Sequence, residues 1–309
     1  MREKLKKLTE QMNRYFAGRP ELIENVLCCF LAGGHLLLED VPGVGKTTLA
    51  KTFANSLGLS FGRIQMTPDT MPGDVTGLSV YDMKTGEFVY RQGAVMKNIV
   101  LADELNRTSP KTQSALLEAM AEGHVTVDDT IYALPEPFMV IATQNPASFT
   151  GTYPLPEAQL DRFMMRLSIG YPSADEEIRM ARMNMDGFAA ETAERVLEPE
   201  DIDALRGAAG SVHVSDGVLS YIQKMIDSTR SDPGIVLGAS PRALLHLLAA
   251  SRALAFIRER DYVKPDDVKQ TATHVLPHRL VLTTEMKMQQ KRAEDVLEAL
   301  MLKVPVPME

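Results

Sequence analysis
The run Pro42-Gly43-Val44-Gly45-Lys46-Thr47-Thr48 joins the short apolar stretch Leu36–Glu39 to a segment with Leu49, Ala50 and Phe53 on one helical face. Gly43 and Gly45 let the backbone curl so that successive N–H groups face a polyanion. A helix following directly would aim its positive N-terminus at the same point. In that setting Lys46 would reach the β- and γ-phosphates of a triphosphate, and the Thr47 hydroxyl would bind Mg²⁺. The strict phosphate-loop pattern opens with Gly where this chain has Asp40. That position begins the loop and lies away from the phosphates, so the mismatch leaves the reading intact.

Four further groups fit the same chemistry. Ile99-Val100-Leu101-Ala102 is an apolar strand ending in Asp103 and Glu104, which places two carboxylates at the carboxyl edge of a sheet. Asp103 suits the water shell of Mg²⁺, and Glu104 suits an attacking water. The strand from Phe138 ends in Asn145-Pro146, where an amide can hold that water or a phosphate oxygen; an ordinary Asn-Pro turn is the alternative. Pro156-Glu-Ala-Gln-Leu-Asp161-Arg162 reads as a short helix whose arginine lies beyond its own site and reaches a neighbour's γ-phosphate as an arginine finger. Arg166 is its nearby competitor and reads as a strand-surface residue. Ser240-Pro241-Arg242 opens a later helix, so a guanidinium and a helix N-terminus face phosphate together.

The elements that must position these groups alternate in the first half. Strands are expected at Leu36–Glu39, 63–66, 98–102, 138–143 and 164–169, with helices between them, Pro110–Glu122 among them. Hairpin patterns at 78–91 and 124–133 interrupt the rhythm. After Gly170 only helical patterns remain, with start signals at Ser173, Glu198, Ser215, Ser240 and Lys264. The expected organisation is an α/β domain over 1–172 and an all-helical domain over 173–309. Met180, Met183 and Met185 read as adaptable core packing in the second half, with a partner surface as the alternative.

Bulk properties bound the rest. The 309 residues suffice for about two domains, and 33 Lys and Arg against 41 Asp and Glu leave a net charge of −8. That balance argues against a nucleic-acid coat. Cys28 and Cys29 are adjacent in an apolar run without metal-ligand spacing, so they read as buried thiols. His274 and His278 have Pro277 between them, which spoils a helical metal face. The charged N-terminus lacks a signal-peptide core, and the apolar region 243–256 is broken by His246, Ser251 and Arg252. A cytoplasmic protein without membrane insertion is expected.

Taken in order, PGVGKTT, IVLADELNR, ATQNP, LPEAQLDRF and GASPRA resemble the MoxR group of AAA+ ATPases, as do GGHLLLEDVPG and SPKTQSALLEAM. The likeness runs along nearly the whole chain. It implies an α/β AAA+ P-loop NTPase core with a five-stranded parallel sheet in order 5-1-4-3-2, β-hairpin inserts and an all-α lid. It also implies a homo-oligomeric ring, usually a hexamer, with ATP at subunit junctions. Carried over by position, Pro42 to Thr48 and Asp103 bind nucleotide, with Thr47 and Asp103 on Mg²⁺. Glu104, Asn145, Arg162 and Arg242 take the catalytic roles, and Arg107 becomes a candidate inter-subunit contact.

The expected activity is therefore ATP hydrolysis coupled to subunit movement, with the lid loosening from the core as a hinge when the γ-phosphate is lost. The resemblance implies a chaperone-like remodelling or maturation role, such as metal insertion into a client protein, often with a von Willebrand factor A domain partner. One alternative is a nucleic-acid motor of the same clade, but the hairpin loops MKTGE and TVDDT carry one Lys, one Glu and two Asp. A nucleotide-gated scaffold with negligible turnover is another, against which the intact Asp103–Glu104 pair argues. A small-molecule kinase leaves the helical lid and the outward Arg162 unexplained.

Overall fold
Leu36, Leu37 and Leu38 are all fully buried because their strand, β1 (Leu36–Glu39), lies inside a parallel sheet covered on both faces. A computed structural model describes residues 2–16, 20–145, 151–188 and 190–307, so Pro146 and the tail residues Met308 and Glu309 lie outside it. The other strands are β2 (Phe61–Gln65), β3 (Ile99–Asp103), β4 (Met139–Gln144) and β5 (Met165–Leu167). Their spatial order is β2-β3-β4-β1-β5, the expected 5-1-4-3-2 read from the other edge.

Period-two alternation sorts the sheet's side chains into two layers. Leu36, Leu38, Ile99, Leu101 and Ile141 join a cluster with α1 (Arg2–Tyr15), α2 (Pro20–Leu31) and α3 (Lys46–Ser56). Leu37, Val100, Ala102, Val140 and Ala142 face the opposite cluster with α4 (Pro110–Glu122). The last strand is shorter than expected. The Ile169 and Gly170 amides donate to the buried Asp40 carboxylate, with Ser168 Oγ adding a third bond, and this pulls the chain out of the sheet. Asp40 thereby ties the start of the phosphate loop to the segment beyond β5, a task glycine has no side chain to perform.

Both hairpins form, Gly77–Asp82 with Glu87–Gln92 and His124–Val127 with Thr130–Ala133. They touch where Tyr90 stacks on Tyr132 with ring centroids 3.9 Å apart. A short helix α5 (Glu157–Leu160) precedes β5, and α6 (Ala174–Met185) follows it. The second half is largely helical, its longest helix being α7 (Pro241–Ile257).

Two expectations about the second half need correction. It is not wholly helical, because Ile235–Leu237 pairs antiparallel with Val281–Leu282. Strands of three and two residues are too short to show a period in the sequence. The methionines of α6 are not core either, since that helix has no buried residue and Met180 and Met185 are exposed.

The two halves share one apolar cluster. Helix α2 docks on the second half through Cys28 Sγ donating to Ala250 O at 3.1 Å, Asn25 beside His274 Nε2 at 3.1 Å and Glu24 paired with Arg258 at 3.0 Å. Cys28 and Cys29 are free and buried, and burial pushes both thiols up. No helix among the described residues is long and apolar enough to cross a membrane.

Candidate active site
At the carboxyl end of β1 the chain turns through Gly43 and Gly45, at φ of 87° and 90°, values that a residue with a Cβ adopts only under strain. Gly45 is the N-cap of α3 and supplies no side-chain cap, so the first helical amides remain open to an anion. Lys46 Nζ donates to Asp40 O at 2.7 Å. Burial pulls its pKa down, while the carboxylates of Asp40, Asp103 and Glu104 oppose that pull.

Across the loop, β3 and β4 end together. Thr143 Oγ1 donates to Asp103 Oδ1 at 2.7 Å and accepts the Glu104 amide at 2.8 Å, so one buried hydroxyl registers both acids. Glu104 itself turns the chain at φ 58°, a left-handed conformation uncommon for a non-glycine residue. Its carboxylate accepts from Arg107 Nη1 at 2.8 Å and Gln65 Nε2 at 3.2 Å. Arg63 Nη2 donates to Asp103 Oδ2 at 2.7 Å. Arg63, Gln65, Asp103 and Glu104 line a cleft of about 440 Å³ with Pro42, Gly43, Gly45, Lys46, Thr47, Thr48 and Asn145.

The Thr47 hydroxyl and the Asp103 carboxylate are hard oxygen donors, as Mg²⁺ requires. Among the described residues no cluster of three or more His, Cys, Asp or Glu forms a self-sufficient metal site. The pair therefore fits a cation that takes the rest of its shell from phosphate and water.

On the other side of Gly43, Gly45 and Thr48 lies a second, more apolar cavity of about 200 Å³. Its walls include Tyr15 and Phe16 at the end of α1, Ile169, and Met180, Met183 and Phe188 from α6 and just beyond. Tyr15 meets Phe188 edge to face at 5.5 Å, and Arg179 donates to Asn13 O, which holds α6 over α1. A polar cleft and an apolar one sharing the glycine loop match the two ends of a nucleotide, triphosphate in one and base in the other.

The structure does not bring Arg162 or Arg242 into this arrangement; neither lines the phosphate cleft. Arg162 donates to Leu117 O on α4, and Arg242 pairs with Asp161 at 3.5 Å. Asp161, next to Arg162 in sequence, thus also pairs with Arg242, whose side chain stands outside the phosphate cleft of its own chain. Arg166 bridges Glu39 and Glu294. Arg107 pairs with Glu104 of its own chain. His278 contacts Phe163 O and His274 contacts Asn25.

Sequence reasoning missed Arg63, Gln65 and, from the apolar cavity, Tyr15 and Phe16. A signal for the first two existed: they stand two apart on β2, hence on one face, and Gln65 is in register with Asp103 at the sheet's carboxyl edge. Tyr15 and Phe16 carried no such signal, being distant in sequence from every motif.

Comparison with known proteins bears on the family and the fold. Residues 35–165 match the ATPase family associated with various cellular activities (AAA), and residues 227–300 match the AAA lid domain. The chain is 48% identical over 305 residues to the uncharacterized protein YeaC of Bacillus subtilis, covering 99% of this chain and 95% of that one. It is 40% identical over 307 residues to Chaperone MoxR1 of Mycobacterium tuberculosis, covering 96% of this chain and 81% of that one. A crystal structure from Cytophaga hutchinsonii, of a protein provisionally described as an ATPase, superposes with a TM-score of 0.92 at 36% identity. It covers 100% of this chain and 96% of that one.

Proposed function
The chain belongs to the MoxR family of AAA+ ATPases, and on that premise we propose that it hydrolyses ATP at a site shared between neighbouring copies in a ring. The carrying observation is the split of the catalytic groups. Loop, acids and Asn145 meet in one cleft, while Arg162, on Leu117 O, and Arg242, on Asp161, both lie outside it.

In this reading the loop amides and Lys46 grip the β- and γ-phosphates. Held by Thr47 and Asp103, Mg²⁺ would neutralise charge on the phosphate oxygens. Glu104 polarises the attacking water and Asn145 orients it. Arg162 and Arg242 of the adjacent copy meet the charge that develops on the γ-phosphate. Tyr15, Phe16, Met180 and Met183 enclose the base.

The cycle serves chaperone-like remodelling or maturation of a client protein, metal insertion among the candidate tasks, in a cytoplasmic ring that is usually a hexamer in this family. A von Willebrand factor A domain protein is the expected partner. Surface chemistry favours a protein client over nucleic acid. The hairpins expose Tyr81, Met83, Phe88 and Ile131, and the single Lys84 at their tips is outweighed by Glu87, Asp128 and Asp129, the reverse of what phosphate would require.

The test mixes two inactive variants, Glu104→Gln and Arg162→Ala, with wild type as control. A Glu104→Gln copy still presents Arg162 to its neighbour's intact Glu104, so ATPase activity should return on mixing. Failure to return, with mixed oligomers confirmed by native mass spectrometry, removes the shared site. A silent wild type would favour the nucleotide-gated scaffold instead.

A further inference from the structure
Asp161, the residue before Arg162, holds together parts of the chain far apart in sequence. Arg279 Nε donates to its Oδ1 at 2.8 Å, Ser240 Oγ donates to the same carboxylate at 2.8 Å, and Arg242 lies 3.5 Å from Oδ2. Ser240 caps α7, and Arg242 stands in its first turn. One carboxylate at the end of α5 is thus bonded to the cap, the first turn and a third, buried arginine.

Arg279 extends the grip along the backbone. Its side chain is 2% exposed, and it donates to three carbonyls that bracket Arg162: Asp161 O at 3.1 Å, Phe163 O at 2.7 Å and Met164 O at 3.2 Å. A planar five-donor guanidinium suits this lacing, which a point-charge ammonium cannot reproduce. Its Nη2 also donates to His246 Nδ1 at 2.6 Å, fixing Arg279 directly to α7.

We propose that Asp161 and Arg279 are positioning residues that fix Arg162 and Arg242 as one unit, so that the second half of a chain sets the arginine pair presented to the neighbouring copy's nucleotide. This rests on the shared-site reading above. The occupant facing the pair is a second copy carrying a polyanion. Charge complementarity supports that choice, because Arg162, Arg242 and Arg279 outnumber the single carboxylate among them. Neither Asp161 nor Arg279 touches nucleotide; each acts through the arginines it holds.

The experiment uses the full chain. Asp161→Asn keeps the shape and the acceptor oxygen while removing the charge. The expected result is a fluorescent ATP analogue bound within twofold of wild type, an unchanged oligomer by native mass spectrometry, and kcat reduced at least tenfold. Mixing with Glu104→Gln should restore turnover, because the Glu104→Gln copy presents a correctly held arginine pair to the Asp161→Asn copy's intact cleft. A fault inside the Asp161→Asn cleft would not be rescued in this way.

Turnover within twofold of wild type overturns the proposal. So does a loss that mixing leaves in place while the Arg162→Ala control is rescued. If the Arg162→Ala control itself fails to recover, the shared site falls and this proposal with it. Should Asp161→Asn not assemble, Ser240→Ala, which removes one hydroxyl from the carboxylate, decides by the same mixing readout.

Discussion
Arg63 on β2 places its guanidinium 2.7 Å from the carboxylate of Asp103 on the adjacent strand, so the acid suited to Mg²⁺ already carries a cation of the chain's own. The guanidinium is about half exposed, which limits such a pair to roughly 1 kcal/mol. Arg63→Ala should therefore lower, a fewfold, the Mg²⁺ concentration that half-saturates binding of a fluorescent ATP analogue. A titration with an unmoved midpoint would show that Arg63 does not compete for Asp103.

Thr143→Val keeps shape but deletes the hydroxyl that joins Asp103 to the Glu104 amide. An orphaned buried N–H and a freed carboxylate oxygen should destabilise the fold by about 1–3 kcal/mol. Turnover should fall further than nucleotide affinity, because the strained turn at Glu104 loses its anchor. Urea unfolding and steady-state kinetics on the same preparation separate the two effects, and a variant with wild-type kcat would refute the second.

Phe16→Ala and Met183→Ala each remove apolar wall from the base-side cavity without touching the phosphate loop's own residues. ATP and ADP should weaken together, by about 1 kcal/mol or near fivefold, leaving their affinity ratio unchanged. A change in that ratio would move these side chains to the phosphate end of the nucleotide.

Stability should fall as pH drops below neutrality. Burial lowers His35 from 6.5 to about 4, and burial together with the Arg279 charge lowers His246 to about 3. His35 Nδ1 accepts the Val140 amide, so a proton there would set two N–H groups against each other. The unfolded chain takes up these protons near its ordinary pKa and the folded chain does not. Their contribution is complete above about pH 6.5 and is lost as pH falls toward the folded values, at about 1.4 kcal/mol per pH unit for each proton. Urea midpoints that stay level from pH 7 to 5 would contradict this, and His35→Gln should flatten the slope.

What could be read from the amino-acid order was whatever the order itself keeps together. Pro42 to Thr48, Asp103 with Glu104, and Asn145 each stand at the end of one buried strand, and a parallel sheet delivers all such ends to one edge. Arg63 and Gln65 reach that edge too, but β2, in which only Ile64 is buried, gives a weaker pattern than the wholly buried run Ile99 to Ala102. Met180 and Met183 illustrate the opposite difficulty. Apolar residues at helical spacing look alike whether they face a core or the roof of a cavity, and only the fold tells them apart. Asp161 was legible as part of a short helix end, while its bonds to Ser240 and Arg279 span 79 and 118 positions.

Cys28 reaches the Ala250 carbonyl from inside an apolar cluster that runs unbroken through both halves of the chain. Swinging one half away from the other would drag that cluster into water, so a single copy behaves as a stiff wedge rather than a pair of jaws. A closed circle of stiff wedges changes shape only at its seams. In the ring we propose, the stroke then belongs to the joints between copies, where the nucleotide of one would meet the arginines of the next.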